Sequence, residues 1–160
     1  MGDSPFWGPF WELSELTDRQ RAFLLEVRTA LHRRLVALGT DGGIYSMIHA
    51  DLHPGNVLVE GERLNVIDFD DAGFGFHAYD LAVALFGNTG RPDFDSVRDA
   101  LVGGYRAQRP LAEEVVALLP MFDLIRGLAL LGWIHERPEL ERGFVPSLVE
   151  RVCRDAEPFV

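Results

Sequence analysis

Three oxygen-bearing side chains stand close together in this chain, at a spacing that suits phosphoryl transfer. The stretch from His49 to Asp68 reads H-A-D-L-H-P-G-N-V-L-V-E-G-E-R-L-N-V-I-D. Asp51 precedes the carboxamide Asn56 by five residues, and Asp68 follows twelve residues later, at the end of an apolar run. Moving a phosphoryl group from ATP needs a base for the acceptor's hydroxyl proton. It also needs hard oxygen ligands that hold Mg2+ against the phosphates. Asp51 suits the first need, and Asn56 with Asp68 the second. Each also has a plainer reading: a surface aspartate, a turn asparagine and an aspartate opening a turn. Their company favours the chemistry.

Other residues bear on the same stretch. His49 and His53 are four apart, a zinc-binding spacing if they lay on a helix. Pro54-Gly55 and the strand before them argue for a loop, and no HExxH or cysteine pair supports zinc. Hydrogen bonding that shapes the loop is the better reading of both histidines. Asp70 and Asp71 crowd Asp68, and three neighbouring carboxylates repel unless a cation or water separates them. Asp80 opens an apolar helical segment. It either complements the helix dipole or accepts backbone N–H groups from the loop at 49–56. Arg126 sits in an apolar helix, where an acid partner, the surface and a substrate remain three open readings.

The elements that must position these groups are mostly helical. Thr17-Asp18-Arg19-Gln20 has the form of a capping box. Leu24, Val27, Leu31, Leu35 and Leu38 then recur at steps of three and four, one stripe of an amphipathic helix. That helix is expected over Leu13–Leu38, closed by Gly39. Ile44–Ile48 reads as a strand. Val57–Val59 and Leu64–Ile67, around Glu60-Gly61-Glu62-Arg63, read as a hairpin. Asp68–Phe76 reads as a loop. Helices are expected over His77–Phe86, Phe94–Gln108, Leu111–Leu119, Pro120–Ile134 and Phe144–Arg154, with Pro120 breaking or restarting its helix. The opening Pro5-Phe6-Trp7-Gly8-Pro9-Phe10-Trp11 cannot start a regular helix. Its aromatics either pack on the domain or form an exposed patch. The fold class is mostly α with a small β-hairpin, α+β.

At 160 residues and 48% hydrophobic content, the chain is long enough for one domain with a core. A formal charge of −10 argues against binding a nucleic-acid backbone. It suits solubility or a cationic substrate. No apolar run reads as a membrane span, Met1 to Phe10 lacks the form of a signal peptide, and Gly2 lacks the acylation pattern because position 6 is phenylalanine. With Cys153 the single cysteine, no disulfide forms within the chain, and a cytoplasmic location is expected. All fifteen basic residues are arginine.

His49-Ala50-Asp51-Leu52-His53-Pro54-Gly55-Asn56 resembles the catalytic loop of the aminoglycoside phosphotransferase family, a branch of the protein-kinase-like superfamily. Val66-Ile67-Asp68-Phe69-Asp70 resembles its metal-binding segment, the counterpart of the kinase DFG motif. Tyr79-Asp80-Leu81-Ala82 also fits. Trp11–Leu16 and Asp70–Gly75 look closest to uncharacterised and stress-kinase-like members. The resemblance implies Asp51 as catalytic base, Asn56 and Asp68 as Mg2+ ligands, Asp80 as organiser of the loop, and ATP as phosphoryl donor to a hydroxyl on a small molecule or protein. Residues 1–160 then form the C-terminal lobe of a protein-kinase-like fold, with the catalytic loop at 49–56 and the metal-binding segment at 66–71. Members of this superfamily carry an N-terminal lobe whose lysine meets the nucleotide phosphates. This chain has no lysine, and Gly39–Gly43 follows a helix rather than a strand. The expectation is therefore an absent N-terminal lobe, a partner in that lobe or in a complementary chain, and weak transfer by this chain alone. The alternative is a non-catalytic binding or oligomerisation module derived from such a lobe, with self-association possible.

Overall fold

The structure is a computed structural model and describes residues 5–160; Gly2, where the acylation pattern was weighed, lies outside them. Helices dominate, and the strands form two small antiparallel sheets. The chain divides into two compact units, residues 1–39 with 124–160, and residues 40–123.

The first unit is built on α1 (Asp18–Leu38). Thr17 caps it: Thr17 Oγ1 accepts the Gln20 N–H at 3.3 Å, and Gln20 Oε1 accepts the Thr17 N–H at 2.9 Å. This reciprocal box satisfies two donors that a helix start leaves open. The helix therefore begins at Asp18, not at Leu13 as the sequence suggests. Leu13–Leu16 are held instead by a 3-10 turn at Phe10–Glu12 and by the Arg21 guanidinium, which donates to the carbonyls of Leu13 and Leu16. Leu24, Val27 and Leu31 of the expected stripe are fully buried. They face α6 (Val145–Ala156), whose Val145, Leu148, Val149, Val152 and Ala156 are buried in turn. Burying each such leucine or valine contributes about 1.5–3 kcal/mol.

Phe10 is buried while Phe6 is 79% exposed, so the opening aromatics divide between packing and solvent. This segment runs tight against α5 (Leu119–His135). A Cβ on Gly132 would overlap the Gly8 carbonyl, and one on Gly8 would overlap the Gly132 carbonyl. Arg126 of α5 lies over the Trp7 ring, 5.8 Å from its centroid.

The second unit carries the strands. β1 (Tyr45–Ile48) pairs antiparallel with β4 (Gly73–Phe76), Tyr45 opposite Phe76 and Ile48 opposite Gly73. β2 (Val57–Glu60) and β3 (Arg63–Val66) form the expected hairpin, with Val57 opposite Val66. β4 corrects the reading of residues 68–76 as a loop. Its two glycines signalled a turn, but a Cβ on Gly75 would meet the Ile48 side chain of the paired strand. Phe76 supplies the apolar anchor, edge-on to Tyr45 at 5.1 Å and 5.5 Å from Phe122. α2 (His77–Phe86) follows directly and packs on β1, β4 and α3 (Phe94–Gln108). The helix expected at Leu111–Leu119 is only α4 (Glu113–Val116). A turn at residues 117–118 then lets Pro120 sit in the first turn of α5, where its missing N–H costs nothing.

The helical run Glu113–His135 is long and apolar enough, by length and composition, to cross a bilayer, although the sequence suggested no such run. Leu119, Met121, Phe122, Leu124, Leu128, Leu131 and Ile134 on it are buried in the protein, as in a core helix.

Candidate active site

The chemistry-bearing residues all belong to the second unit, and a few short bonds organise them. β1 ends at Ile48, and the chain then turns through Ala50, whose φ of 67° lies in the left-handed region. A residue with a Cβ pays to sit there and stays only where its surroundings hold it. Asp80, in the first turn of α2, does so: its Oδ2 accepts the His49 N–H and its Oδ1 the Ala50 N–H, both at 2.8 Å. Asp80 thus lies in the first turn of its helix and also accepts two amides of the loop.

His49 is buried and joins the loop to the end of the hairpin. Its Nε2 lies 2.9 Å from the Ile67 carbonyl and its Nδ1 accepts the Asp51 N–H at 3.3 Å. These partners assign the ring proton to Nε2. The ring also lies against Phe69, 4.7 Å between centroids. His53 shapes the next turn. Its Nδ1 accepts the Gly55 N–H at 3.0 Å, and its Nε2 is 3.5 Å from Asp51 Oδ2. Among the described residues no group of three or more His, Cys, Asp or Glu side chains could hold a metal ion. Asp68, Asp70 and Asp71 therefore make no carboxylate cage between them.

Asn56 is buried beside Asp51: its Nδ2 donates to the Asp51 carbonyl at 3.0 Å and to Asp51 Oδ2 at 3.3 Å. With the nitrogen committed, Oδ1 is the ligating atom the amide offers. Hairpin register does the rest. Because Val57 lies opposite Val66, Asn56 lies opposite Ile67, whose N–H donates to the Asn56 carbonyl at 3.0 Å. Asp68 comes next, with φ at 64°, a second left-handed residue that bears a side chain. Asp51, Asn56 and the backbone leading to Asp68 are thus stitched together although they span eighteen positions in the chain. One neutral amide oxygen and one carboxylate are hard donors that fit Mg2+, which takes few protein ligands and completes its shell with water and phosphate.

The sequence reading missed one polar contact here. Ser46 Oγ of β1 lies 2.7 Å from His77 Nε2 of α2. No sequence signal links residues so far apart, because the contact depends on β1 pairing with β4. Arg126, weighed as a substrate contact, belongs to the first unit.

A model of the phosphotransferase enzyme family matches residues 8–118. A homoserine kinase of Nitrobacter winogradskyi (strain ATCC 25391 / DSM 10237 / CIP 104748 / NCIMB 11846 / Nb-255) is 45% identical over 93 residues, 56% of this chain and 27% of that protein. Among solved structures, the microcompartment-associated aminopropanol kinase is similar at a TM-score of 0.77 and 32% identity, over 98% of this chain and 48% of that one. The amicoumacin kinase structure with AMP-PNP, Ca2+ and Ami has the same fold, at a TM-score of 0.73 and 22% identity over 93% of this chain and 48% of that one. The chain spans less than half the length of each of these relatives. On the family match and the kinase-like fold together, this chain belongs to the phosphotransferase enzyme family.

Proposed function

We propose that this chain is the catalytic lobe of an ATP-dependent kinase that phosphorylates the hydroxyl of a small amino alcohol. The observation that carries the reading is the contact between Asn56 Nδ2 and Asp51, in a loop tied by Asp80 and His49 to the end of the hairpin. In the proposed step Asp51 takes the proton from the acceptor hydroxyl while that oxygen bonds to the γ-phosphorus. The bond from phosphorus to the β–γ bridging oxygen breaks, and ADP leaves. Asn56 orients the Asp51 carboxylate by donating to Oδ2. His53 Nε2 lies 3.5 Å from the same oxygen. Asn56 Oδ1 and Asp68 would hold Mg2+, which when bound neutralises charge on the phosphates.

An amino-alcohol acceptor is supported by two relatives, one named a homoserine kinase and the other an aminopropanol kinase, and by a chain charge of −10, which favours an ammonium-bearing substrate. The lysine that meets the phosphates must come from a further lobe, in the same polypeptide or another, since these residues contain none. Losing that clamp removes positioning and electrostatic stabilisation, so this chain alone transfers phosphate slowly.

Calorimetry with AMP-PNP tests the reading. Binding that requires Mg2+ and weakens at least about tenfold in Asp68→Asn is expected, a loss of the size of one charge-assisted contact. Binding indifferent to both Mg2+ and Asp68 would reject it. A second reading, a non-catalytic module that self-associates, draws on exposed apolar side chains of the second unit: Leu58 at 53%, Val59 at 70%, Leu64 at 69% and Phe74 at 73%. Light scattering distinguishes it, since a catalytic lobe need not associate with itself.

A further inference from the structure

His77 is buried at 5% exposure and takes no part in the chemistry proposed above. Its Nε2 meets Ser46 Oγ at 2.7 Å, and the Gly43 backbone beside it favours the charged form of the ring. A neutral ring that carries its proton on Nδ1 accepts the Ser46 hydroxyl proton at Nε2. His77 and Asp80 are three apart in the first turn of α2, and so lie on one face. Ser46 and His49 are three apart where β1 runs into the loop. The same helical turn therefore grips the junction of strand and loop at two points, His77 on Ser46 and Asp80 on the amides of His49 and Ala50.

We propose that His77, through Ser46, is a positioning residue that shares with Asp80 the task of holding the loop from His49 to Asn56 in its working shape, and that protonating its ring loosens that loop. The proposal rests on the catalytic reading given above. The charged groups that bear on the ring are Arg109, at the end of α3, and Asp80, on its own helix. Burial and the Arg109 guanidinium hold the ring below its ordinary value of 6.5, against the Gly43 backbone and the Asp80 carboxylate, which favour the charged form. Arg109 is itself fixed by donating to the Gly42 carbonyl at 3.0 Å. Once charged, the imidazolium can only donate at Nε2, so the Ser46 hydroxyl must turn from donor to acceptor. The imidazolium also competes with the His49 and Ala50 amides for Asp80. The competition for Asp80 loosens the junction that His77 and Asp80 share.

Amide exchange measured by NMR on the chain without nucleotide tests this. Protection of the His49 and Ala50 amides is expected to fall about tenfold between about pH 7.5 and about pH 5.5, with the Leu31 amide of α1 unchanged as reference. In His77→Gln, which keeps a polar side chain that does not titrate, the pH dependence is expected to vanish. Protection that does not change with pH in the natural chain overturns the proposal. So does an equal fall in His77→Gln, which would assign the effect to His49 or His53. Should His77→Gln lose Leu31 protection as well, Ser46→Ala decides: loop protection at about pH 7.5 close to the acid value supports the proposal, and unchanged protection rejects it. These measurements stand apart from AMP-PNP binding, so a failed positioning role and a failed catalytic reading give different results.

Discussion

The two units solve opposite problems. In the first, α1 and α6 close on each other through side chains that are almost wholly buried, among them Leu24, Val27, Leu31, Val145 and Val152. In the second, the hairpin is open: every residue from Gly61 to Asp70 is exposed, including Ile67 and Phe69. The loop and hairpin that carry the site are held by directional bonds, from Asp80 to two amides, from His49 to Ile67 and from Asn56 to Asp51. Burial is non-directional and tolerates small shifts, whereas a hydrogen bond fixes an angle. A site that aimed three oxygen-bearing groups, as proposed for Asp51, Asn56 and Asp68, would be better held by the second means. Its cost is visible at Ala50 and Asp68, the two non-glycine residues with positive φ among the described residues.

This contrast predicts where stability and activity separate. The largest effect is expected from Asp51→Asn in an active assembly that includes the nucleotide-clamping lobe. Turnover should fall about 10²–10⁴-fold for a lost general base, with the thermal midpoint essentially unchanged, measured by ADP release and by calorimetric melting. A matching loss of stability would mean that Asp51 is structural, and the contrast would fail. Leu131→Ala, in the fully buried face of α5, is expected to cost about 2–5 kcal/mol in urea unfolding. The loop amides of the second unit should keep their native exchange in this variant wherever it remains folded.

Asp80→Ala leaves the His49 and Ala50 N–H groups without their acceptor, at about 1–3 kcal/mol for each group that water cannot reach. Exchange should accelerate at those two amides and stay unchanged at Leu31. Uniform acceleration would show that the clamp is global rather than local.

The smallest effect concerns acid. Burial pushes the Glu15 carboxyl up, but hydrogen bonds from Ser14 and Arg142, with the Arg142 charge, bring it below its ordinary 4.5. Arg142 Nη1 lies 2.9 Å from Glu15 Oε1, and its Nη2 donates to the Ile134 carbonyl at 3.2 Å. A carboxyl depressed by folding adds stability that is fully present above the unfolded value and is lost as pH falls through the folded one. The advantage of the natural chain over Glu15→Gln in urea should therefore be present at neutral pH and shrink below about pH 4.5. An advantage that does not depend on pH would assign the role of Glu15 to packing.

The sequence was most legible where periodicity or local chemistry decides structure. The Thr17 capping box, the stripe from Leu24 to Leu31, the hairpin around Gly61 and the helices at His77–Phe86 and Phe94–Gln108 are local patterns, and local physics produces them. The types and order of Asp51, Asn56 and Asp68, on which the expectation of phosphoryl chemistry rests, also lie in the sequence, as does the absence of lysine, on which the expectation of a further lobe rests. Tertiary structure alone decided that Gly73–Phe76 is a strand, because it becomes one by pairing with Tyr45–Ile48, and a partner that distant leaves no local trace. It likewise put the Asp80 carboxylate on the His49 and Ala50 amides and brought Ser46 to His77, since each depends on where α2 docks. Residue types determine which bonds are possible, and the packing of distant elements determines which of them form.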